Sequence, residues 1–252
     1  QHGMNFYSEA YTLTINALAE AGFRVIAVDR IGYGKSSKPI LPYSFNMVAA
    51  NMKALLDELG VEKTAIVGHS MGGMAVSRFA MMYPETTTHV VMVNQIGLTD
   101  QRQSRPWSDP FVGGGATTYQ SILRGHQRYF PLKWPPAHLE FVRRQYGQTL
   151  GGDWPRLAQV RRLQGQMLYD DPVVYDWQHI ATKALVIGGE EDGLVDDFPT
   201  LAHNVANQLQ NSAIILYPNV GHAPQIEIPD LFHQDLIRFL SSDADEPASN
   251  WK

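Results

Sequence analysis

Gly68-His-Ser-Met-Gly72 is the segment of this chain whose residue types and spacing can do chemistry. The G-x-S-x-G pattern mounts a serine on a sharp turn between a strand and a helix, its hydroxyl projecting. The glycines belong there because side chains would collide with the flanking elements. A serine hydroxyl is a poor nucleophile at neutral pH and needs an adjacent base. A serine mounted in this way is followed along the chain by a carboxylate and then a histidine. Both are present. The apolar run 184–187 leads into Gly188-Gly-Glu-Glu-Asp192, and the run 213–217 leads into Pro218-Asn-Val-Gly-His222. Ser70 therefore reads as nucleophile, His222 as base and Asp192 as the acid that orients the base, which is the equipment of acyl transfer.

Other residues compete for these roles. Glu190, Glu191, Asp196 and Asp197 stand near Asp192 and read as a solvated loop, while Asn94, at the end of run 89–93, cannot carry the charge. The chain has nine histidines. His69 adjoins the serine, but its side chain is expected to point into the core. His89, His203 and His233 are expected on strand or helix surfaces, and His126, His138 and His179 fall in or beside the irregular middle of the chain.

Positioning three distant side chains requires a scaffold. Phe23–Val28, 64–67, 89–93, 184–187 and 213–217 are short runs rich in Val and Ile, without apolar/polar alternation, so they read as strands buried on both faces. Helices are expected between them. Ser44 to Gly60 is the clearest, with Ser44 as N-cap, Gly60 just past the end, and Phe45, Val48, Ala49, Met52, Leu55, Leu56 and Leu59 on one face. Residues 8–21, 71–83, 199–210 and 230–240 also read as helices. The alternation predicts an α/β fold with a mostly parallel sheet flanked by helices, and the acid and base lie just beyond strand ends, where sites form in such sheets.

The rhythm breaks between Gly97 and Trp177, a stretch punctuated by Gly113-Gly-Gly115, Pro135-Pro136 and Gly151-Gly152. It is too long for a simple loop and predicts a mostly helical insertion over 97–177, with a core made of 1–96 and 178–252. A formal charge of −5 gives no excess of Lys or Arg for a phosphate backbone, which argues against nucleic acid as a partner. No apolar run is long enough for a membrane span. The absence of cysteine rules out disulfides, cysteine nucleophiles and Cys-ligated zinc, and leaves the compartment open. A soluble protein is expected, cytoplasmic or, after removal of a leader, periplasmic or secreted. Oligomeric state is not legible.

Five ordered motifs carry a family resemblance: His2-Gly3, Asp29-Arg-Ile-Gly32-Tyr-Gly34-Lys-Ser36, Gly68-His-Ser-Met-Gly-Gly73, Gly189-Glu-Glu-Asp192 and Gly221-His222. Together they resemble the α/β-hydrolase superfamily, especially its lid-bearing branch of serine esterases and carbon–carbon-bond hydrolases. The resemblance implies that the backbone N–H groups of Met4 and Met71 form the oxyanion hole, that 29–36 is a structural turn, and that the insertion is a lid over Ser70. Trp107, Phe111, Tyr119, Tyr129, Trp134 and Tyr146 would then line an apolar pocket or form the lid's own core. It also implies strands ahead of His2-Gly3; the sequence starts at that pair, so the N-terminal strands are expected to be missing from this chain, with Met4 loosely held.

The resemblance further implies an esterase acting on a small-molecule ester substrate without metal or organic cofactor. Halide- and epoxide-processing relatives carry Asp at the elbow, against which Ser70 argues. Carbon–carbon-bond hydrolases commonly place Trp after the histidine, where this chain has Ala223-Pro224. Their activity remains an alternative, as does a non-enzymatic small-molecule receptor of the same fold.

Overall fold

The computed structural model describes residues 1–109 and 116–251. Its scaffold is a four-stranded parallel sheet of β1 (Thr64–His69), β2 (Thr87–Val93), β3 (Lys183–Gly189) and β4 (Ser212–Tyr217), in the order β1-β2-β3-β4. The near-continuous apolar runs are explained by burial on both sides. On β2, Val90 and Met92 face one core and Val91 and Val93 the other; Ala184 and Val186 of β3 alternate in the same way with Leu185 and Ile187. The first core is closed by α2 (Phe45–Glu58), α3 (Met71–Met82) and α7 (Phe198–Gln208). The second is closed by α1 (Thr12–Glu20) and α9 (Pro229–Leu240).

Local chemistry sets the element ends. The Ser44 hydroxyl accepts the Met47 N–H at 3.1 Å, capping α2, and Gly60 takes φ +65°, the left-handed turn that stops it. Phe45, Val48, Ala49, Met52 and Leu56 are buried as expected, whereas Leu59 is exposed because the helix has already ended. The turn 29–36 is held by Asp29. Its two carboxylate oxygens accept the backbone N–H groups of Ser8 and Lys35, both at 2.8 Å. Gly34 is required there, since a Cβ would fall 2.1 Å from that carboxylate.

One predicted strand is corrected. Phe23–Val28 pairs with no strand, so it forms no ladder despite its composition. It lines instead, together with β1, a cavity of about 600 Å³. A β-strand is a relation between two backbones, and among the described residues the β1 edge away from β2 bonds Gln1, whose amino group donates to Val67 O and whose carbonyl accepts the His69 N–H.

Between β2 and β3 the described residues hold no strand. They hold α4 (Tyr119–Gln127), α5 (Leu139–Thr149) and α6 (Trp154–Asp170), with single turns of 3-10 helix at Gln101–Gln103, Pro136–His138 and Trp177–His179. Trp107 packs against Tyr169 and Tyr119 against Tyr146, all four half-buried. Phe111 and Gly113–Gly115 lie outside the described residues. A short helix, α8 (Pro224–Glu227), precedes α9. Among the described residues, no helix is long and apolar enough to cross a membrane.

Arg78 ties α3 to the end of the inserted stretch. Its guanidinium donates to Asp176 at 2.6 Å, to Asp171 at 3.0 Å, to Asn46 at 2.5 Å and to the Pro172 carbonyl at 3.3 Å. Removing one partner of a buried ion pair leaves the other charge uncompensated. Arg78→Ala is expected to lower stability by about 3 kcal/mol, read from the urea midpoint; a loss under about 1 kcal/mol would place this network with ordinary surface pairs.

Candidate active site

Ser70 sits between β1 and α3 with φ 58° and ψ −122°, a conformation that L-residues avoid and that only tight surroundings maintain. The glycines around it show how tight the elbow is. A Cβ on Gly68 would fall 2.2 Å from Gly72 O, and one on Gly72 would fall 2.2 Å from Gln1 O. The serine is 4% exposed. The loop carrying His2-Gly3 lies directly over it, since a Cβ on Gly3 would meet Ser70 Cβ at 3.0 Å and its Oγ at 3.4 Å. Met4 follows in that loop, half-buried against the core, and Met71 is the fully buried first residue of α3, where backbone N–H groups have no partner within the helix.

Asp192 and His222 are brought together from the ends of β3 and β4. His222 Nδ1–H donates to Asp192 Oδ2 at 2.7 Å, and both side chains are fully buried. Asn94 Nδ2 donates to the same oxygen at 2.9 Å. Oδ1 accepts the backbone N–H groups of Leu194 at 2.8 Å and Val195 at 3.2 Å. Burial pushes the Asp192 carboxyl up, but the His222 charge, its hydrogen bond and the two further sets of donors outweigh burial and hold it below the usual carboxylate range. His222 Nε2 is buried and has no hydrogen-bond partner, Ser70 Oγ included. Such contacts often tighten only once substrate is bound.

His69 is structural, as its position implied, and links the pieces. Gly3 N–H donates to Tyr11 OH at 3.4 Å, Tyr11 OH donates to His69 Nδ1 at 2.8 Å, and His69 Nε2–H donates to the His222 carbonyl at 2.8 Å. His222 is thus tethered through the residue next to Ser70. Glu227 brackets His222 from α8, accepting the N–H groups of Gly221 at 3.0 Å and Ala223 at 3.1 Å. His2 Nε2 accepts the Arg30 N–H at 3.0 Å, so its Nδ1–H donates to Gly3 O at 2.7 Å and shapes the loop.

Two sets of expectations need correction. His89 and His233 are buried rather than superficial: His89 packs on Phe239, and His233 Nε2 lies 2.9 Å from the Thr14 hydroxyl. His203 and His179 are exposed. Between β2 and β3, His138 Nε2–H donates to His126 Nδ1 at 2.9 Å, and His126 Nε2–H donates to Gln145 at 2.7 Å, a buried pair separated from His222 by the Tyr129 ring. Asn94 was set aside because it carries no charge, yet it hydrogen-bonds Asp192. Its positive φ of 38° at a strand end is the local signal of a special role, and it is visible only in the fold.

A family model described as the alpha/beta hydrolase fold matches residues 1–229. A solved structure described as a probable hydrolytic enzyme from Pseudomonas aeruginosa PAO1 is 34% identical, with a TM-score of 0.92, covering 96% of this chain and 84% of that one. Bifunctional epoxide hydrolase 2 of Sus scrofa is 40% identical over 98% of this chain, which spans about half (51%) of that protein. A 2-hydroxy-6-oxo-6-phenylhexa-2,4-dienoate hydrolase of Burkholderia cepacia is 27% identical, over 92% of this chain and 82% of its own length.

Buried imidazoles make the fold acid-sensitive in a definite direction. Burial, followed by the nearby His222, holds His69 down to about 3. In the unfolded chain its pKa is about 6.5, so as pH falls the unfolded state takes up the proton first. The stability this group contributes is complete above about pH 6.5 and is lost as pH drops toward 3. His138, also held to about 3 by burial and then by His126, acts in the same sense. The melting temperature is therefore expected to fall as pH is lowered through this window, and His69→Gln to flatten the fall. An unchanged slope in that variant would contradict a buried neutral His69.

Proposed function

The chain belongs to the α/β-hydrolase fold family and is a hydrolase of that fold, and from that premise we propose that it is a serine hydrolase cleaving carboxylic esters of small, largely apolar substrates through an acyl-enzyme. The observation that carries this reading is the buried Asp192–His222 contact at 2.7 Å, with the ring of His69, the residue before a serine held at positive φ, 4.9 Å from the His222 ring. A base oriented by a carboxylate next to a projecting serine is what acyl transfer requires.

Ser70 Oγ attacks the ester carbonyl carbon and forms the new C–O bond while His222 Nε2 takes its proton. Asp192 fixes the tautomer and stabilises the imidazolium. The N–H groups of Met4 and Met71 receive the oxyanion, where each donor is worth about 3–4 kcal/mol because the charge exists only in the transition state. The bond to the alcohol breaks, and the alcohol leaves with the proton from His222. Water then repeats the sequence, His222 taking its proton, to release the acid and restore Ser70. Residues 97–177 act as the lid over this site, on a core of 1–96 and 178–252.

Ser70 also bears on the relatives' chemistries. A serine opening an epoxide would form an ether, which water does not readily cleave, whereas a carboxylate nucleophile forms a hydrolysable ester. Epoxide opening is therefore disfavoured despite the 40% identity to the pig protein. Carbon–carbon-bond hydrolysis is the second reading, favoured by similarity to the dienoate hydrolase. The Ala223-Pro224 pair after the base weighs toward the ester.

A panel of nitrophenyl esters from two-carbon to twelve-carbon acyl chains, run beside a meta-cleavage-type dienoate, separates the readings. Short esters are expected to turn over, and Ser70→Ala to fold normally while losing at least about 10³-fold in kcat. Turnover of the dienoate alone favours the second reading. Near-wild-type ester hydrolysis by Ser70→Ala refutes the nucleophile, and labelling by a fluorophosphonate without turnover of any substrate indicates a receptor.

A further inference from the structure

The segment just after α4 touches the loops that bear Asp192, His222 and Met4. Its backbone crosses the loops that bear the acid and the base at two notches. A Cβ on Gly193, beside Asp192, would fall 2.1 Å from Arg128 O, and one on Gly221, beside His222, would fall 2.7 Å from Tyr129 O. Hydrogen bonds lock the crossing: His222 N–H donates to Tyr129 O at 2.9 Å, and Arg128 Nε–H donates to Gly193 O at 3.2 Å. Both loops are thus shaped to receive this backbone.

The Tyr129 side chain then spans from base to oxyanion loop. Its ring stacks on the His222 imidazole, with centroids 5.5 Å apart and planes 26° apart. Its hydroxyl accepts from Asn5 Nδ2 at 2.6 Å, and Asn5 is the residue after Met4. Asn5 Oδ1 in turn accepts from Arg161 of α6 at 2.6 Å. One face of the ring therefore bears on the base, while the hydroxyl bears on the loop that presents the first oxyanion donor.

We propose that Tyr129 is a positioning residue, which sets the separation between the His222 imidazole and the Met4 N–H and so couples the seating of the lid to catalytic competence. This rests on the serine-hydrolase reading above. Base and oxyanion donor must serve one tetrahedral centre together, and they come from segments remote in the chain. Among the described residues the relay through Tyr11 and His69 also joins them, but it reaches the His222 backbone, whereas Tyr129 bears on the ring as well. Displacement of a catalytic group by about 1 Å can cost of the order of 10²-fold in rate.

The test compares Tyr129→Phe, Asn5→Ala, their double variant and Tyr129→Ala, with Trp134→Phe as a control in the same aromatic cluster. Rates are normalised to the fraction of Ser70 that a fluorophosphonate titrates, so misfolded protein does not count. Tyr129→Phe keeps the ring and loses only the bond to Asn5. It and Asn5→Ala are each expected to lower kcat about tenfold with KM changed less than about twofold, and the double variant to fall no further than either single. Tyr129→Ala is expected to lower kcat and kcat/KM equally, by about 100-fold, and Trp134→Phe to leave both unchanged.

Wild-type kcat in Tyr129→Phe and Tyr129→Ala, additive losses in the double variant, or losses confined to KM would each overturn the positioning role. The rate of phosphonylation of Ser70 supplies a second readout, independent of which ester is used, and is expected to fall in the same order. Wild-type protein that neither turns over esters nor is labelled at Ser70 overturns the serine-hydrolase reading itself. A labelled, active wild type with unaffected Tyr129 variants overturns only the role of Tyr129.

Discussion

Everything at the rim of this sheet answers to one problem, a carboxylate kept ionised out of water. Burying a charge is unfavourable unless hydrogen bonds replace its hydration. Asp192 receives four donors, from His222, Asn94, Leu194 and Val195, and they answer to three separate requirements of the fold. The end of β2 must stop at Asn94, the loop after β3 must curl so that two N–H groups point inward, and the loop after β4 must return its histidine to the same place. The parallel register of β2, β3 and β4 makes these three demands compatible, because it brings the three strand ends to one side.

A second constraint is neutrality around His222. His69 lies with its ring 4.9 Å from that of His222, and a charge there would oppose any charge on His222. Burial keeps His69 uncharged, which in turn gives it one donor and one acceptor nitrogen. That polarity is what lets it accept from Tyr11 on one side and donate to the His222 carbonyl on the other. Electrostatics and mechanical support are here the same arrangement seen twice.

Four of the five expected strands, the elbow and the helices that cover the sheet were legible because burial on both faces leaves a clear signature: unbroken Val and Ile runs with capped helices between. The same signature misled at Phe23–Val28, since composition reports apolar surroundings and says nothing about whether a second backbone lies alongside. Ser70, Asp192 and His222 were legible as a motif with an order. Asn94 was not, because it hydrogen-bonds Asp192, 98 positions away, and Glu227 was not, because nothing in its type marks a carboxylate that accepts backbone N–H groups four and six residues earlier. Tyr129 looked like any aromatic of a helical insertion. Its contacts with Asn5 and His222 span 124 and 93 positions, and no local pattern encodes them.

The bend at Ser70 sets two demands on one position against each other. A residue held at φ 58° and ψ −122° costs about 1–3 kcal/mol relative to relaxed backbone. Glycine would adopt that bend without cost and would remove the hydroxyl in the same stroke. The polypeptide therefore carries tension at the one place where its hydroxyl is displayed, and the packing of Gly68 and Gly72 around it is what contains that tension.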